Sequence, residues 1–426
     1  MRFETMELHA GLEPDAVTGA RAVPIYQSTA FVFDDTAQAE ARFALREGGP
    51  IYTRLGNPTV DVFEKRMAAL EDGKGAVACA SGMAAITYAL LNILKAGDEI
   101  VSSPTIYGGT HSLLANTFPD MGITAHFTRD NSPEAFEELI TENTKCLFAE
   151  SIGNPNADLI DLEAVAEVAH RHGIPFIVDN TFGTPYLVQP IHHGADIVVH
   201  SATKYIGGHG TTMGGVIVDG GTFDWTNGKF PSFTEPDESY HGLKYAKDGG
   251  EAPFVFRVRA QALRNMGACM SALDAFLLIQ GVETLSLRVE RHVENTRRII
   301  EYLQGRPEIA WIKYPELEGS PYAELAKKYY PRGCGGIFSI GFRDGQEAAL
   351  KWMDNLKLIS NVSNVADAKT LATHPATTTH QQLSEEARRA AGVPGECVRL
   401  SVGLENVLDL MDDMDQAFDA LREESA

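Results

Sequence analysis

The sequence predicts an α/β protein: a mostly parallel sheet with helices on both faces, followed by a smaller C-terminal α/β domain. Three observations carry this. Short apolar runs alternate with helix-length stretches between Gly75 and Val218, and parallel strands need crossovers of that length. The runs themselves, such as Phe176-Ile177-Val178 and Ile197-Val198-Val199, are continuous rather than alternating, as in strands buried on both faces. A chain of 426 residues also exceeds one simple core, so two domains are expected.

The elements follow in order. Residues 1–60 read as irregular and Pro/Gly-punctuated, through Val23-Pro24-Ile25-Tyr26 to Gly56-Asn57-Pro58. Val60, Phe63, Met67 and Leu70 then recur at helical spacing. Strands are predicted at 75–79, 99–102, 123–127, 145–149, 175–178, 196–200 and 213–218, with helices at 82–94, 109–118, 133–141 and 162–172. Between 220 and 250 the alternation stops, and Trp225, Phe230, Phe233 and Tyr240 stand among glycines and prolines. So long a segment is either functional or mobile, or a surface excursion without a role. A helical stretch from 268 to 303 leads into the second domain, which has strands near 337–341 and 398–402 and an acidic helix from Val407. The chain thus divides into an extension at 1–60, a sheet domain at 61–267 carrying the 220–250 insertion, and a C-terminal domain at 268–426.

Composition excludes several classes. A 44% hydrophobic and 22% charged chain with 39 glycines is a globular enzyme type rather than a disordered or fibrous one. A net charge of -22 would repel nucleic acid. Met1-Arg2-Phe3-Glu4-Thr5 is no secretion signal, and the apolar stretch at 84–94 is too short to span a bilayer, so no membrane role and a cytoplasmic location are expected. Cys79, Cys146, Cys269, Cys334 and Cys397 show no metal or redox spacing, and their odd number leaves free thiols as the expectation. His170 and His172 point to different faces of their helix. No metal site is expected.

The chemistry lies at two strand ends. One run closes on Asp179-Asn180 and the next on Ser201-Ala202-Thr203-Lys204. Adjacent buried strands presenting a carboxylate and an amine suit pyridoxal phosphate: the lysine can form a Schiff base with the aldehyde, and the carboxylate can keep the ring nitrogen protonated. Ser201 and Thr203 can donate hydroxyls to the phosphate. So can the turn Ser81-Gly82-Met83, where strand 75–79 passes into a helix whose free N–H groups attract anions. Tyr107 follows a parallel strand, where it can stack on a flat ring and carry protons. Asn154 and Arg399 can hold an amino acid carboxylate, although Arg399 could equally make a structural salt bridge.

These motifs, with Tyr52-Thr53-Arg54, Tyr107-Gly108-Gly109, Asn154-Pro155 and Arg399-Leu400-Ser401, resemble the pyridoxal-phosphate enzymes of cysteine and methionine metabolism from end to end. The resemblance implies the aminotransferase-type fold (fold type I) with a seven-stranded sheet. It adds Met83 to the phosphate turn and makes residues 1–60 an arm onto a neighbouring subunit. Tyr52 and Arg54 would then reach that neighbour's phosphate, in a homo-oligomer of dimers with shared sites, assembled to a tetramer. Within the family, the 220–250 insertion, the Asn364-to-Leu371 segment and His374-Pro375-Ala376-Thr377-Thr378-Thr379-His380 resemble the O-acetylhomoserine sulfhydrylases, with Asn364 at the substrate. Ala366 and Thr370 stand where those enzymes usually have glycine and serine. The implied reaction is γ-replacement of O-acetyl-L-homoserine by sulfide. The alternatives are an O-succinylhomoserine sulfhydrylase, a cystathionine γ-synthase, a methionine or cystathionine γ-lyase, or a noncatalytic amino-acid sensor on the same fold.

Overall fold

Seven apolar runs pair into one sheet: β1 (Gly75–Cys79), β2 (Glu99–Ser102), β3 (Thr124–Phe127), β4 (Thr144–Glu150), β5 (Phe176–Asp179), β6 (Ile197–Ser201) and β7 (Gly215–Asp219), in the order β1-β7-β6-β5-β4-β2-β3. The structure, a computed structural model, describes residues 1–382, 384–390 and 392–423. β7 runs antiparallel to both its neighbours, and the other pairings are parallel. β4, β5 and β6 are almost wholly buried, because an apolar cluster lies on each face of the sheet. Side-chain caps start the covering helices: Asn57 for Pro58–Leu70, Ser81 for Gly82–Leu91 and Asp161 for Leu162–Arg171.

A second sheet, β10-β11-β12-β9-β8, comprises β8 (Ile309–Lys313), β9 (Ile337–Phe342), β10 (Ser360–Asn361), β11 (Leu371–Thr373) and β12 (Cys397–Ser401). It is antiparallel except at β10/β11. Helices Gly345–Asp354 and Val407–Glu423 pack beside it through Trp352 and Phe418. No helix among the described residues is long and apolar enough to cross a membrane.

Four expectations need correction. The first sixty residues are not uniformly irregular, since helices occur at Phe3–His9 and Thr36–Phe43. The first is too short to be stable by local propensity; it is docked by Glu7, which accepts from Ser286 Oγ at 2.6 Å and Ser286 N at 3.0 Å. The 109–118 helix loosens to a π turn at Leu113–Thr117, just ahead of Pro119, which has no N–H to continue the α register. The 268–303 stretch is two helices, Ala272–Val282 and Leu285–Gln304. Arg288 Nη2 takes the Gly281 carbonyl at 2.6 Å, and Nη1 takes the Tyr205 carbonyl at 2.6 Å, occupying an acceptor that an unbroken helix would use.

The 220–250 insertion is no surface excursion. Trp225, Phe230 and Phe233 are buried, with Trp225 stacked on Phe233 at 4.3 Å and tilted against Phe254 at 5.3 Å. Tyr245 Oη donates to Asp237 Oδ2 at 2.6 Å. Short helices at Pro231–Thr234, Glu238–Tyr240 and Tyr245–Asp248 link these anchors. Trp225→Ala is therefore expected to destabilise the protein by about 3–5 kcal/mol, read as a lower urea midpoint. An unchanged midpoint would contradict this burial.

Candidate active site

Parallel pairing of β5 with β6 sets Asp179 opposite Val199, so the carboxyl end of β5 lies beside the turn that carries Lys204. Thr181 ties the two ends together. Its N–H and hydroxyl donate to Asp179 Oδ1 at 2.9 and 2.5 Å, while its Oγ1 accepts from Ser201 N at 2.8 Å. A cavity of about 400 Å³ opens over these strand ends. Its walls bring together Ser81, Gly82, Met83, Tyr107, Asn154 and Asp179. Ser201, Thr203, Lys204, Asn364 and Arg399 complete them.

Gly82 shows why the turn after β1 is built as it is. A Cβ on Gly82 would lie 2.5 Å from Ser201 Cβ and 2.8 Å from Ser201 Cα, so only glycine lets the helix start approach the end of β6. Ser81 Oγ accepts from Ala84 N at 3.1 Å and caps the helix. Thr203 Oγ1 is shared with Gly214, accepting from its N–H at 3.1 Å. The turn thus concentrates N–H and hydroxyl donors around a space that only a small or absent side chain leaves open, which suits a phosphate. Tyr107 is half-exposed, and its ring lies against Gly109, where a Cβ would stand 2.5 Å from Tyr107 Cε1.

The charges are poised by burial. Desolvation pushes the Asp179 carboxyl above its ordinary value, opposed by the Thr181 bonds and the nearby His200. Lys204 is held below the usual lysine range, first by burial and then by the Arg399 charge; its Nζ donates to Asn364 Oδ1 at 2.5 Å. Arg399 is buried and pushed down to about 10 by desolvation. Its Nη1 donates to Asn154 Oδ1 at 2.9 Å and its Nη2 to Asn364 O at 3.3 Å and Thr373 Oγ1 at 3.4 Å. Among the described residues no carboxylate pairs with it, so the structural salt bridge is not made. A buried guanidinium satisfied only by neutral acceptors is a site for an incoming carboxylate.

The residues therefore fit pyridoxal phosphate: a nest for the phosphate, a flat-faced aromatic, a buried carboxyl group and an amine held below its ordinary range in one cavity. Tyr52 and Arg54 do not join them. Arg54 Nη1 donates to the Arg264 carbonyl, and its guanidinium lies 5.4 Å over the Tyr52 ring; neither residue lines the cavity of its own chain. Ala366 and Thr370 are also outside its lining. Ala366 has φ 58°, a left-handed conformation that favours glycine, and Thr370 Oγ1 donates to Glu405 at 2.8 Å. Among the described residues no group of three or more His, Cys, Asp or Glu side chains could hold a metal ion.

Sequence reasoning missed Glu150, Thr181 and His380, which also line the cavity. Glu150 closes β4 and accepts from Tyr107 N, and burial together with the neighbouring Asp179 raises its carboxyl well above the ordinary range. Its place at a parallel strand's carboxyl end was the available signal. Thr181, two residues past Asp179, fits an Asx-type turn. Burial, and then the Arg399 charge, lower the His380 imidazole below its ordinary value.

The chain matches the Cys/Met metabolism PLP-dependent enzyme family over residues 4–419, and it belongs to that family; its cofactor is pyridoxal phosphate. It is 50% identical over 423 residues to an O-acetyl-L-homoserine sulfhydrylase of Leptospira meyeri, covering 97% of this chain and 96% of that protein. It is 50% identical over 420 residues to a homocysteine synthase of Schizosaccharomyces pombe, covering 98% of each. A solved O-acetylhomoserine (thiol)-lyase of Campylobacter jejuni, carrying N'-pyridoxyl-lysine-5'-monophosphate, superposes with a TM-score of 0.94 at 40% identity, over 98% of this chain and 100% of that one.

Gly82→Ala is expected to raise the dissociation constant for pyridoxal phosphate about tenfold, or about 1.4 kcal/mol, with unchanged circular dichroism. Titration of apoprotein followed by cofactor absorbance measures it; unaltered affinity would remove the turn from the phosphate site.

Proposed function

We propose that this protein catalyses γ-replacement of O-acetyl-L-homoserine by sulfide, giving L-homocysteine and acetate. The buried Arg399 without a carboxylate partner, facing Lys204 across one cavity, carries the reading. Arg399 and Asn154 would bind the substrate α-carboxylate and present Cα to the lysine. Ser81, Gly82, Met83, Ser201 and Thr203 would hold the cofactor phosphate, with Tyr107 against the ring and Asp179 at its nitrogen. Bound there, pyridoxal phosphate supplies an electron sink for the charge left on Cα. Lys204, its amine held below the usual lysine range by burial, takes the α-proton; a Cβ proton is then removed so that acetate can leave, and after sulfide adds both carbons regain a proton, with the Tyr107 hydroxyl as a second carrier. Acetate leaves from Cγ, and hydrosulfide bonds to the same carbon. Asn364 accepts a hydrogen bond from the Lys204 amine and holds it in line.

The experiment that tests this compares O-acetyl- and O-succinyl-homoserine, each with sulfide, cysteine and methanethiol. Acetyl substrate with sulfide should give the highest kcat/KM. Preference for the succinyl ester or for cysteine would favour the other sulfhydrylase or a cystathionine synthase, and release of 2-oxobutyrate and ammonia without a thiol would favour a γ-lyase. The similarity to named sulfhydrylases and homocysteine synthases supports the acetyl ester.

Two variants probe the roles. Lys204→Ala should lower turnover by several orders of magnitude and abolish borohydride labelling of the peptide containing residue 204; label on another lysine would sink the assignment. Asp179→Asn removes the charge and keeps the shape, so kcat should fall much more than substrate affinity. Near-parental kcat would place the ring nitrogen elsewhere.

The oligomer is proposed on the exposure of Tyr52 and the separation of Arg54 from its own cavity: residues 1–60 would reach a neighbouring subunit and set Tyr52 and Arg54 on its phosphate, in a dimer with shared sites that pairs into a tetramer. Mixed Lys204→Ala and Arg54→Ala subunits should regain part of the activity by forming some sites with both residues intact. No recovery despite verified subunit exchange would refute a shared site.

A further inference from the structure

Cys79 and Cys269 are far apart in the sequence, yet the fold sets them opposite each other as the two residues of an isolated antiparallel bridge. Ala80 N donates to Ala268 O at 2.9 Å, and Cys269 N turns away to Gly267 O at 2.8 Å. This is the pattern flanking a non-hydrogen-bonded pair, whose Cα atoms stand about 4.5 Å apart with both side chains on one face. A disulfide spans Cα separations of roughly 4.4–6.8 Å. Both side chains pack in the same apolar cluster, Cys79 buried and Cys269 half-buried.

We propose that Cys79 and Cys269 form a redox-responsive thiol pair that closes to a disulfide under a hydroperoxide and loosens the cofactor's phosphate turn. Cys269 is the less buried of the two residues. It takes one oxygen from the hydroperoxide, becoming a sulfenic acid as the peroxide is reduced to an alcohol, or to water for hydrogen peroxide. The Cys79 sulfur then attacks it: the S–S bond forms, the S–O bond breaks, and hydroxide departs with the Cys79 proton as water. Burial raises the Cys79 thiol above its ordinary value, so Cys269 rather than Cys79 meets the oxidant first, and Cys79 reacts second because the bridge sets it opposite Cys269.

Location gives the bond its consequence. Cys79 ends β1 directly before Ala80-Ser81-Gly82. At the short Cα separation of such a pair, a disulfide of the commoner length would pull the two backbones apart at the Ala80–Ala268 hydrogen bond. The same segment supplies the Arg264 carbonyl that holds Arg54. The effect on the cofactor rests on the proposed placement of phosphate at residues 81–83; formation of the bond does not.

The test treats holoenzyme with hydrogen peroxide, alkylates it, and maps peptides without reduction. The Cys79 and Cys269 peptides should appear joined, lighter by the two thiol hydrogens, and should separate with dithiothreitol. Cys269→Ser should show no joined species. Cofactor release on dilution, followed by absorbance, should be several-fold faster in oxidised parent and unchanged in treated Cys269→Ser. Accumulation of sulfinic acid on Cys269, or its pairing with another cysteine, would overturn the proposal. A joined pair with unaltered cofactor release would overturn the coupling to the turn. A joined pair in protein lacking sulfhydrylase turnover would instead sink the functional reading and leave the thiol pair standing.

Discussion

The register between β5 and β6 is the constraint on which the cavity depends. Because Asp179 pairs beside Val199, a carboxylate and the Ser201-to-Lys204 turn leave the sheet at one end. Thr181 locks that alignment by bonding to Asp179 and Ser201 together. A slip of one residue would reverse the faces of β6, moving His200 out of its buried contact with Glu71 at 2.6 Å and separating Lys204 from the carboxylate. The close approach of Gly82 to Ser201 depends on the same register, so the Ser81-Gly82 turn and the Asp179 end of β5 are set by one alignment.

Burial then determines how these groups behave. Taking Arg399, Lys204, Asp179 and Glu150 out of water costs free energy unless partners replace the solvent. Neutral acceptors hold Arg399, and Asn364 holds Lys204. The result is a cavity whose carboxyls are pushed up and whose amine is pushed down, the direction needed for proton transfer near neutral pH. The chain carries a net charge of -22, yet Arg399 places a buried guanidinium in the wall of the cavity. An amino acid carboxylate and a hydrosulfide anion both find favourable charge there.

The C-terminal sheet completes the wall. β12 carries Arg399 between β9 and β11, and the Arg399 side chain reaches Asn154 beyond β4 of the other sheet. The apolar cluster on that side runs from Val178 and Val198 to Val398 and Leu400 without a break.

The alternation of buried strands and crossovers was legible in the sequence because it rests on local periodicity and on the continuous apolar runs of a doubly covered sheet. Asp179, Lys204 and the Ser81–Gly82 turn were legible too, since parallel strands present their functional groups at their carboxyl ends. Where tertiary contacts override local preference, only the folded chain decides. Phe3–His9 is helical because Glu7 docks on Ser286; the helix after 282 breaks because Arg288 claims the Gly281 carbonyl; Trp225 is buried because Phe233 and Phe254 receive it. The absence of a counter-ion at Arg399, the bond from Tyr107 N to Glu150 and the facing of Cys79 and Cys269 likewise belong to the tertiary structure. Each joins segments remote in the chain, and one-dimensional spacing carries no record of which surfaces will meet.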